Sequence, residues 1–245
     1  MKKVLLLILA FVLLLTGCAA TPSDTTAATQ PPTETTAAAT TEDAKPKRLI
    51  ALTFDDGPHV YMPKLLSVLE KYNAKATFFL VGKNITEETA QMVKDAYDAG
   101  HEIGNHSFSH ERMLSMSADQ VREEYSKVQE QVTQIIGEAP TLFRPPWLET
   151  NEIMFDVIDI PMISGRICDW DGATAEETFQ KVKENVNDGR IILLHFKNSS
   201  IESLDLLLPW LYDYGFETVT VSELFERRGI DLSANDILYK DEAGK

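Results

Sequence analysis

The sequence is poor in cysteine, in basic residues and in long apolar runs. Its 245 residues include only two cysteines, Cys18 and Cys168, so a framework of several disulfides is excluded. Asp and Glu outnumber Lys and Arg by 38 to 23, which gives a formal net charge of −15. This balance disfavours nucleic acid, whose phosphates bind basic patches, and it favours a neutral substrate over a strongly anionic polymer. A hydrophobic content of 44% is typical of a globular protein.

The amino-terminal segment predicts export. Two lysines precede an unbroken apolar run over residues 4–15, which is shorter than the roughly 20 residues of a bilayer-spanning helix and is typical of a secretory signal. Residues 15–18, Leu-Thr-Gly-Cys, resemble the processing site of bacterial lipoproteins, in which the cysteine becomes the lipidated first residue. We therefore predict a signal peptide over residues 1–17 and lipidation of Cys18. The alternative is an ordinary signal peptide cut near Ala19 or Ala20, with Cys18 discarded.

Residues 19–47 lack Leu, Ile, Val and every aromatic residue. They consist almost entirely of Thr, Ala, Pro, Ser, Gln, Glu and Asp, which cannot bury enough apolar surface to offset the entropy of ordering. Together with the lipidated cysteine, the segment 18–47 is predicted to be a flexible tether that holds one folded domain, residues 48–245, outside the cytoplasmic membrane. The predicted membrane contact is through the lipid alone.

In the folded part, short apolar runs alternate with longer amphipathic ones. Residues 49–54, 76–81, 191–194 and 216–219 are predicted to be strands. Predicted helices cover residues 62–72, 87–99, 118–136, 174–186, 201–214 and 221–228. This alternation indicates an α/β fold with parallel strands and helical crossovers, and it leaves a (β/α) barrel and an open sheet as alternatives.

Two clusters of polar residues follow predicted strands, where α/β folds place their sites. Asp55 and Asp56 directly follow a buried strand, and two adjacent carboxylates there need a cation or an arginine to offset their repulsion. His106 and His110 are four residues apart and lie on one face if the backbone between them is helical. Two imidazoles and one carboxylate are a ligand set for a divalent transition metal.

Five short segments resemble, in order, the motifs of the NodB-type polysaccharide deacetylases, carbohydrate esterase family 4. They are Thr-Phe-Asp-Asp-Gly-Pro at 53–58, His-Ser-Phe-Ser-His at 106–110, Phe-Arg-Pro-Pro-Trp at 143–147, Asp-Trp at 169–170 and Leu-Leu-His at 193–195. Each motif is weak alone, but five in sequence are specific. The resemblance implies a distorted, incomplete (β/α) barrel, which agrees with the alternation of strands and helices.

The same resemblance implies the roles of individual residues. Asp56, His106 and His110 would hold one divalent metal, with zinc favoured and cobalt or nickel also accepted. The catalytic residues would be the general base, the arginine that orients it and the general acid, which are Asp55, Arg144 and His195. In this scheme the base takes a proton from water activated by the metal, and the acid donates a proton to the leaving amine or alcohol.

Substrate contacts are implied by the same motifs. The backbone N–H at Trp147 would stabilise the oxyanion, and Leu193 would form the pocket for the acetyl methyl group. Pro146 and Trp170 are predicted to contact the substrate as well. The implied activity is hydrolytic removal of acetyl groups, either N-acetyl groups of peptidoglycan or chitin-type sugars, or O-acetyl groups of xylan. Wall anchoring favours the first substrate, and the Asp-Trp-Asp-Gly-Ala-Thr segment at 169–174 favours the second.

The sequence departs from the family pattern around the fourth motif. The family often has an acidic residue three positions before the Asp-Trp pair, where this chain has Arg166. In the family that acid tunes the general-acid histidine, so here either Asp169 or Asp171 replaces it, or His195 is less well tuned. Away from the motifs, Cys168 is predicted to be a small buried apolar residue and His101 a structural histidine.

Two other functions compete with the enzyme. A non-catalytic glycan-binding lipoprotein would keep the fold, but binding alone needs neither a general base nor a general acid. A solute-binding lipoprotein of a transporter would share the signal and the tether, but it usually has a second lobe. The oligomeric state is not predicted from this sequence.

Overall fold

The structure, a computed structural model, describes residues 48–233 and 238–240. Its strands are β1 Arg48–Gly57, β2 Thr77–Leu80, β3 Glu102–Asn105, β4 Met162–Ile163, β5 Arg166–Ile167, β6 Arg190–His195, β7 Phe216–Val219 and β8 Leu238–Tyr239. Its helices are α1 Met62–Lys71, α2 Glu87–Asp98, α3 Ala118–Ile136, α4 Glu152–Val157, α5 Ala175–Asn185, α6 Asn198–Asp213 and α7 Val221–Arg227. The predicted signal peptide, Cys18 and the tether lie outside the described residues.

The central strand β1 organises a parallel sheet. The order of the sheet is β3-β2-β1-β6-β5, and β7 also pairs with β1. Strands β7 and β2 divide one edge of β1 between them, since β7 pairs with residues 48–51 and β2 with residues 53–57. Strand β6 pairs with the other edge over residues 50–55. The two central strands therefore end side by side, where the first and fifth motifs lie.

The sheet curls into a barrel that stays open on one side. Single bridges from Asn105 to Phe143 and from Phe143 to Met162 continue the ring from β3 to β4, and β4 pairs with β8. Within the described residues no strand pairing joins β4 to β5, which are separated only by Ser164 and Gly165. The incomplete (β/α) barrel is thus confirmed over the open sheet.

Alternation along β1 separates two apolar cores. Ile50, Leu52 and Phe54 face outward and pack with the helices, whereas Leu49 and Ala51 face the interior of the barrel. Because side chains in a strand point to opposite faces in turn, the next interior positions are residues 53 and 55. The strand thereby carries a threonine and an aspartate into the carboxyl end of the barrel.

Local signals set the limits of the best-predicted helix. Helix α3 begins after Ser117, whose side chain accepts a hydrogen bond from the Gln120 backbone N–H in a capping box, and ends at Gly137 with φ of 88°. Strand β7 also has its predicted limits, whereas α6 begins at Asn198, three residues before the predicted start. Strand β3, helix α4 and the two-residue strands were not predicted.

Candidate active site

The two adjacent aspartates leave β1 in different directions. Asp55 is buried in the barrel interior, whereas Asp56 has φ of 71° and a partly exposed side chain. The pairing of β1 with β2 shifts register between Asp55 and Gly57, and Asn84 Nδ2 donates to the Asp56 carbonyl oxygen over 2.8 Å. The Gly57–Pro58 peptide bond is cis. This irregular end of the strand brings both carboxylates to one cleft.

The two histidines converge without a helix between them. Residues 106–110 form an irregular loop, in which Ser107 and His110 have φ of 63° and 62°. The loop is fixed by hydrogen bonds from the Ser107 N–H to Asn105 Oδ1 (2.9 Å) and from the His110 N–H to Ser107 Oγ (3.1 Å). The ring centroids of His106 and His110 lie 4.8 Å apart. The helical geometry considered for this pair is therefore wrong, and two left-handed residues replace it.

Asp56, His106 and His110 form a group that fits a metal ion. Asp56 Oδ1 lies 3.3 Å from His110 Nε2 and 3.7 Å from His106 Nε2, and one ligand atom from each residue lies within 4.8 Å of the others. Two ligands at typical zinc distances and a tetrahedral angle are separated by about 3.4 Å. Asp56 Oδ1 is also buried and accepts no hydrogen bond from the described residues. A cation would satisfy this oxygen.

The protonation state of His106 suits a metal ligand. Its Nδ1 lies 2.6 Å from the carbonyl oxygen of Arg144, so Nδ1 carries the proton and the unprotonated Nε2 presents its lone pair to the cluster. Burial, with the neighbouring His110, lowers the pKa of His106 against the opposing charges of Asp55 and Asp56. A neutral imidazole is the form that binds a metal.

A buried arginine holds Asp55. Arg144 Nη1 donates to Asp55 Oδ1 and to Thr53 Oγ1, each over 2.7 Å, and both side chains of the ion pair are almost fully buried. The same guanidinium donates to the carbonyl oxygens of Ile163 (3.2 Å) and Ser164 (2.9 Å), at the open side of the barrel. Arg144 thus orients one oxygen of Asp55 and leaves Oδ2 free of this contact, 3.7 Å from His106 Nε2.

His195 is paired with Asp169. His195 Nδ1 lies 2.6 Å from Asp169 Oδ1, and the His195 backbone N–H donates to Asp169 Oδ2 over 2.8 Å. Burial lowers the pKa of His195, but the hydrogen bond and charge of Asp169, with the charges of Asp55 and Asp56, raise it overall. The pairing keeps the imidazole protonated to higher pH.

Of the two candidates, Asp169 and Asp171, the acidic partner of His195 is therefore Asp169. Arg166 points elsewhere and donates to Asn185 Oδ1 over 2.8 Å. Asp171 is exposed and pairs with Lys197 Nζ at 2.9 Å. Arg166 stands where the family often has an acid, but His195 still has an acidic partner in Asp169.

A cleft of about 400 Å³ is lined by the two aspartates of β1, both clustered histidines and the Asp169–His195 pair. Its walls include Trp147 and Trp170, which are 57% and 46% exposed, together with Leu193. Pro146 does not line the cleft, contrary to the prediction for it. Both prolines are buried, Pro146 is the first residue of the short helical turn, and Pro145 is the one that lines the cleft.

The tryptophan of the third motif sits on a strained turn. Trp147 has φ of 61°, and the following residue, Leu148, has φ of 58°. The Leu148 N–H donates to the Pro145 carbonyl oxygen over 3.0 Å, whereas within the described part of the chain the Trp147 N–H donates to no protein acceptor. The indole lies 5.6 Å from the ring of His110, between centroids. The turn places the tryptophan beside the predicted metal ligands.

Comparisons with known proteins identify the family. The family model "Polysaccharide deacetylase" matches residues 42–159. A family 4 acetyl xylan esterase from Clostridium thermocellum, solved with a cobalt ion, superposes with a TM-score of 0.77 at 38% identity, over 80% of this chain and 99% of that one. The chain belongs to the NodB-type polysaccharide deacetylases, carbohydrate esterase family 4.

Two longer relatives of this chain carry different kinds of name. A bifunctional xylanase/deacetylase from Pseudobutyrivibrio xylanivorans is 40% identical over 76% of this chain, and a peptidoglycan-N-acetylglucosamine deacetylase from Listeria monocytogenes is 35% identical over 74% of it. The chain spans only 32% and 40% of the length of these two proteins. In each of these two relatives, the part that matches this chain is therefore one portion of a longer protein.

Some residues in or next to the cleft were not predicted from the sequence. Thr53 supports Arg144, and its place on the interior face of β1 was available from strand alternation. Lys197 lines the cleft, and Ser200 Oγ donates to Asp169 Oδ2 over 2.5 Å. Neither belongs to a motif, and both lie at the start of α6, which the predicted helix did not include.

The two structural predictions are confirmed. His101 is buried, its Nδ1 accepts from the Ala76 N–H at 3.3 Å, and burial lowers its pKa to about 4. Cys168 is a free, buried thiol whose pKa burial raises to about 12, so it is inert near neutral pH.

In the described part of the chain, no helix is both long and apolar enough for a membrane span.

Proposed function

We propose that this chain hydrolyses acetyl groups from a carbohydrate, with one divalent metal held by Asp56, His106 and His110. The observation that carries the proposal is the convergence of this ligand group with the Asp55 carboxylate and the His195 imidazole in one cleft. A site that only binds glycans does not need a general base and a general acid in the same cleft as a metal-binding group. The non-catalytic alternative is therefore not favoured.

The proposed metal is zinc. Two imidazoles and one carboxylate, with positions left for other ligands, suit zinc, although cobalt and nickel accept similar donors. A divalent ion in this place would act as a Lewis acid that polarises the acetyl carbonyl and increases the acidity of water.

Asp55 is proposed as the general base. Arg144 occupies its Oδ1, so Oδ2 is the oxygen that accepts the proton of the attacking water. The positive guanidinium also keeps the carboxylate ionised and fixed in one orientation. Because Arg144 itself is fully buried and does not line the cleft, its role is to orient the base.

His195 is proposed as the general acid. Its Nδ1 is committed to Asp169, so the proton that reaches the leaving amine or alcohol is held at Nε2. Asp169 raises the proton affinity of the imidazole and fixes its ring plane. His195 lies beside Asp55 in the register of β6 against β1, which brings acid and base to the same reacting group.

The remaining cleft residues are proposed to bind the substrate. The Trp147 N–H, which has no acceptor among the described residues, would donate to the developing oxyanion. Leu193 would form the acetyl pocket. Trp147 and Trp170 present exposed aromatic surface to the cleft, and such surface suits the apolar faces of sugar rings.

Acetate release tests the proposal. The purified domain is stripped of metal with a chelator, reloaded separately with zinc, cobalt or nickel, and assayed on N-acetylglucosamine oligomers and on acetylated xylo-oligosaccharides. We expect release that depends on added metal, and the two substrates separate amidase from esterase action. The exposed His59 is outside the ligand group, so His59→Ala is the matched control for His106→Ala. Binding of both oligomers without any acetate release would support the glycan-binding alternative.

We also propose that the protein is an extracytoplasmic lipoprotein, anchored through Cys18. Names of relatives refer to peptidoglycan and xylan, which are both found outside the cytoplasm. In a bacterial host, the chain is expected in the membrane fraction, and Cys18→Ala should abolish its lipid labelling. Unchanged labelling of the variant would contradict the anchor.

A further inference from the structure

Ser200 is a buried serine that none of the five motifs includes. Its side chain is 0% exposed, and Oγ donates to Asp169 Oδ2 over 2.5 Å. It lies in the first turn of α6, thirty-one positions along the chain from its acceptor. The contact therefore joins the helix to the residue that pairs with the proposed general acid.

The carboxylate of Asp169 is held at both oxygens. Oδ2 accepts from the backbone N–H of His195, which belongs to β6, and from Ser200 on α6. Oδ1 is then aimed at His195 Nδ1, 2.6 Å away. One donor at Oδ2 would let the carboxylate plane rotate about that contact, whereas two donors from different elements fix it. The direction of Oδ1 in turn fixes the imidazole plane.

We propose that Ser200 is a positioning residue that acts through Asp169 to hold His195 in the orientation for proton donation. The inference deepens the proposed function and depends on it. Ser200 does not line the cleft, so it acts without contacting the substrate. Loss of its hydroxyl should leave binding intact and reduce only the step in which the leaving group is protonated.

The same helix offers a matched control. Ser203 is also 0% exposed, and its Oγ donates to the carbonyl oxygen of Ser200 over 2.7 Å rather than to the site. Ser203→Ala removes an equivalent buried hydroxyl from α6 without touching Asp169. Any loss of helix packing common to both serines appears in both variants.

The experiment is a double-mutant cycle on kcat with the zinc-loaded full-length protein. Ser200→Ala should lower kcat by roughly tenfold with KM and zinc affinity unchanged, since misplacement of a catalytic group affects the chemical step. In an Asp169→Asn background the same substitution should have little further effect, because it acts through that carboxylate. Ser203→Ala should retain wild-type kcat. If the alanine variant does not fold, Ser200→Cys takes its place. Because it keeps a weaker donor, it should lower kcat by less than tenfold.

Two results would overturn the inference. One is equal loss of kcat in Ser200→Ala and Ser203→Ala, and the other is the full loss from Ser200→Ala persisting in the Asp169→Asn background. Absence of acetate release by the wild-type protein would instead reject the proposed function, so the two failures are distinguishable.

Discussion

Arg144 and Asp55 form an ion pair inside the barrel, with Nη1 and Oδ1 2.7 Å apart and both side chains removed from solvent. Thr53 and two backbone carbonyl oxygens accept three further N–H groups of the guanidinium, so four of its five N–H donors have partners. The pair serves the proposed base and at the same time occupies the open side of the barrel. Stability and catalysis are therefore coupled at Arg144.

Removal of Arg144 should destabilise the fold. Arg144→Leu leaves the Asp55 carboxylate buried without its partner, and breaking a buried pair costs about 3–5 kcal/mol. Urea denaturation of the metal-free protein measures the change in the free energy of unfolding. Arg122→Leu, which breaks an exposed pair with Asp119, is the control and should leave stability nearly unchanged. Equal stability of both variants would contradict the role of the buried pair.

Substitution of the proposed base and substitution of a proposed metal ligand should have different effects. Asp55→Asn should retain zinc and lower kcat by about 10²–10⁴, the usual contribution of general-base catalysis. His106→Ala should lose zinc and activity together. Metal content after dialysis and acetate release are measured on the same samples. Wild-type deacetylation by both variants would disprove the proposed mechanism.

Zinc should stabilise the wild-type fold through its ligands. A ligand that binds only the native state adds about 2.7 kcal/mol to the free energy of unfolding at 100 times its dissociation constant. His110→Ala should lose this gain at the same zinc concentration, while His59→Ala should keep it. Urea curves with and without zinc provide the measurement, and a full gain in His110→Ala would place the ion elsewhere.

Asp169→Asn should move the alkaline limb of the pH profile. The general acid works in its protonated form, and Asp169 raises the pKa of His195 against the opposing effect of burial. Loss of the carboxylate charge lowers that pKa, so His195 loses its proton at lower pH. The alkaline limb of kcat/KM should shift to lower pH and the maximum should fall. If the alkaline limb of kcat/KM in Asp169→Asn stays at its wild-type pH, another group acts as the acid.

Trp170 should affect binding more than chemistry. Its indole is 46% exposed on the cleft wall, so Trp170→Ala removes contact area with the sugar rather than core packing. We expect a several-fold rise in KM on oligomers with little change in kcat. Tyr214→Ala, at an exposed aromatic residue that does not line the cleft, is the control. A loss confined to kcat would assign Trp170 to the reaction itself.

Periodicity and local caps were sufficient for most regular elements of the domain. Helix α3 has both predicted limits because Ser117 and Gly137 mark its ends in the sequence itself. Strand β3 escaped prediction because its sequence, Glu-Ile-Gly-Asn, has only one large apolar residue. The two-residue strands escaped it because a run of two residues has no period of its own to detect.

The sequence by itself determined the family, the order of elements and the residue types of the site, since these follow from motifs and from apolar spacing. Only the tertiary structure decided that Asp169 rather than Asp171 partners His195, that Pro145 rather than Pro146 lines the cleft, and that Ser200 reaches Asp169. The physical reason is that hydrogen bonds and burial depend on directions in space. Spacing along a chain does not record such directions, and neither does it record the left-handed backbone of His110 and Trp147.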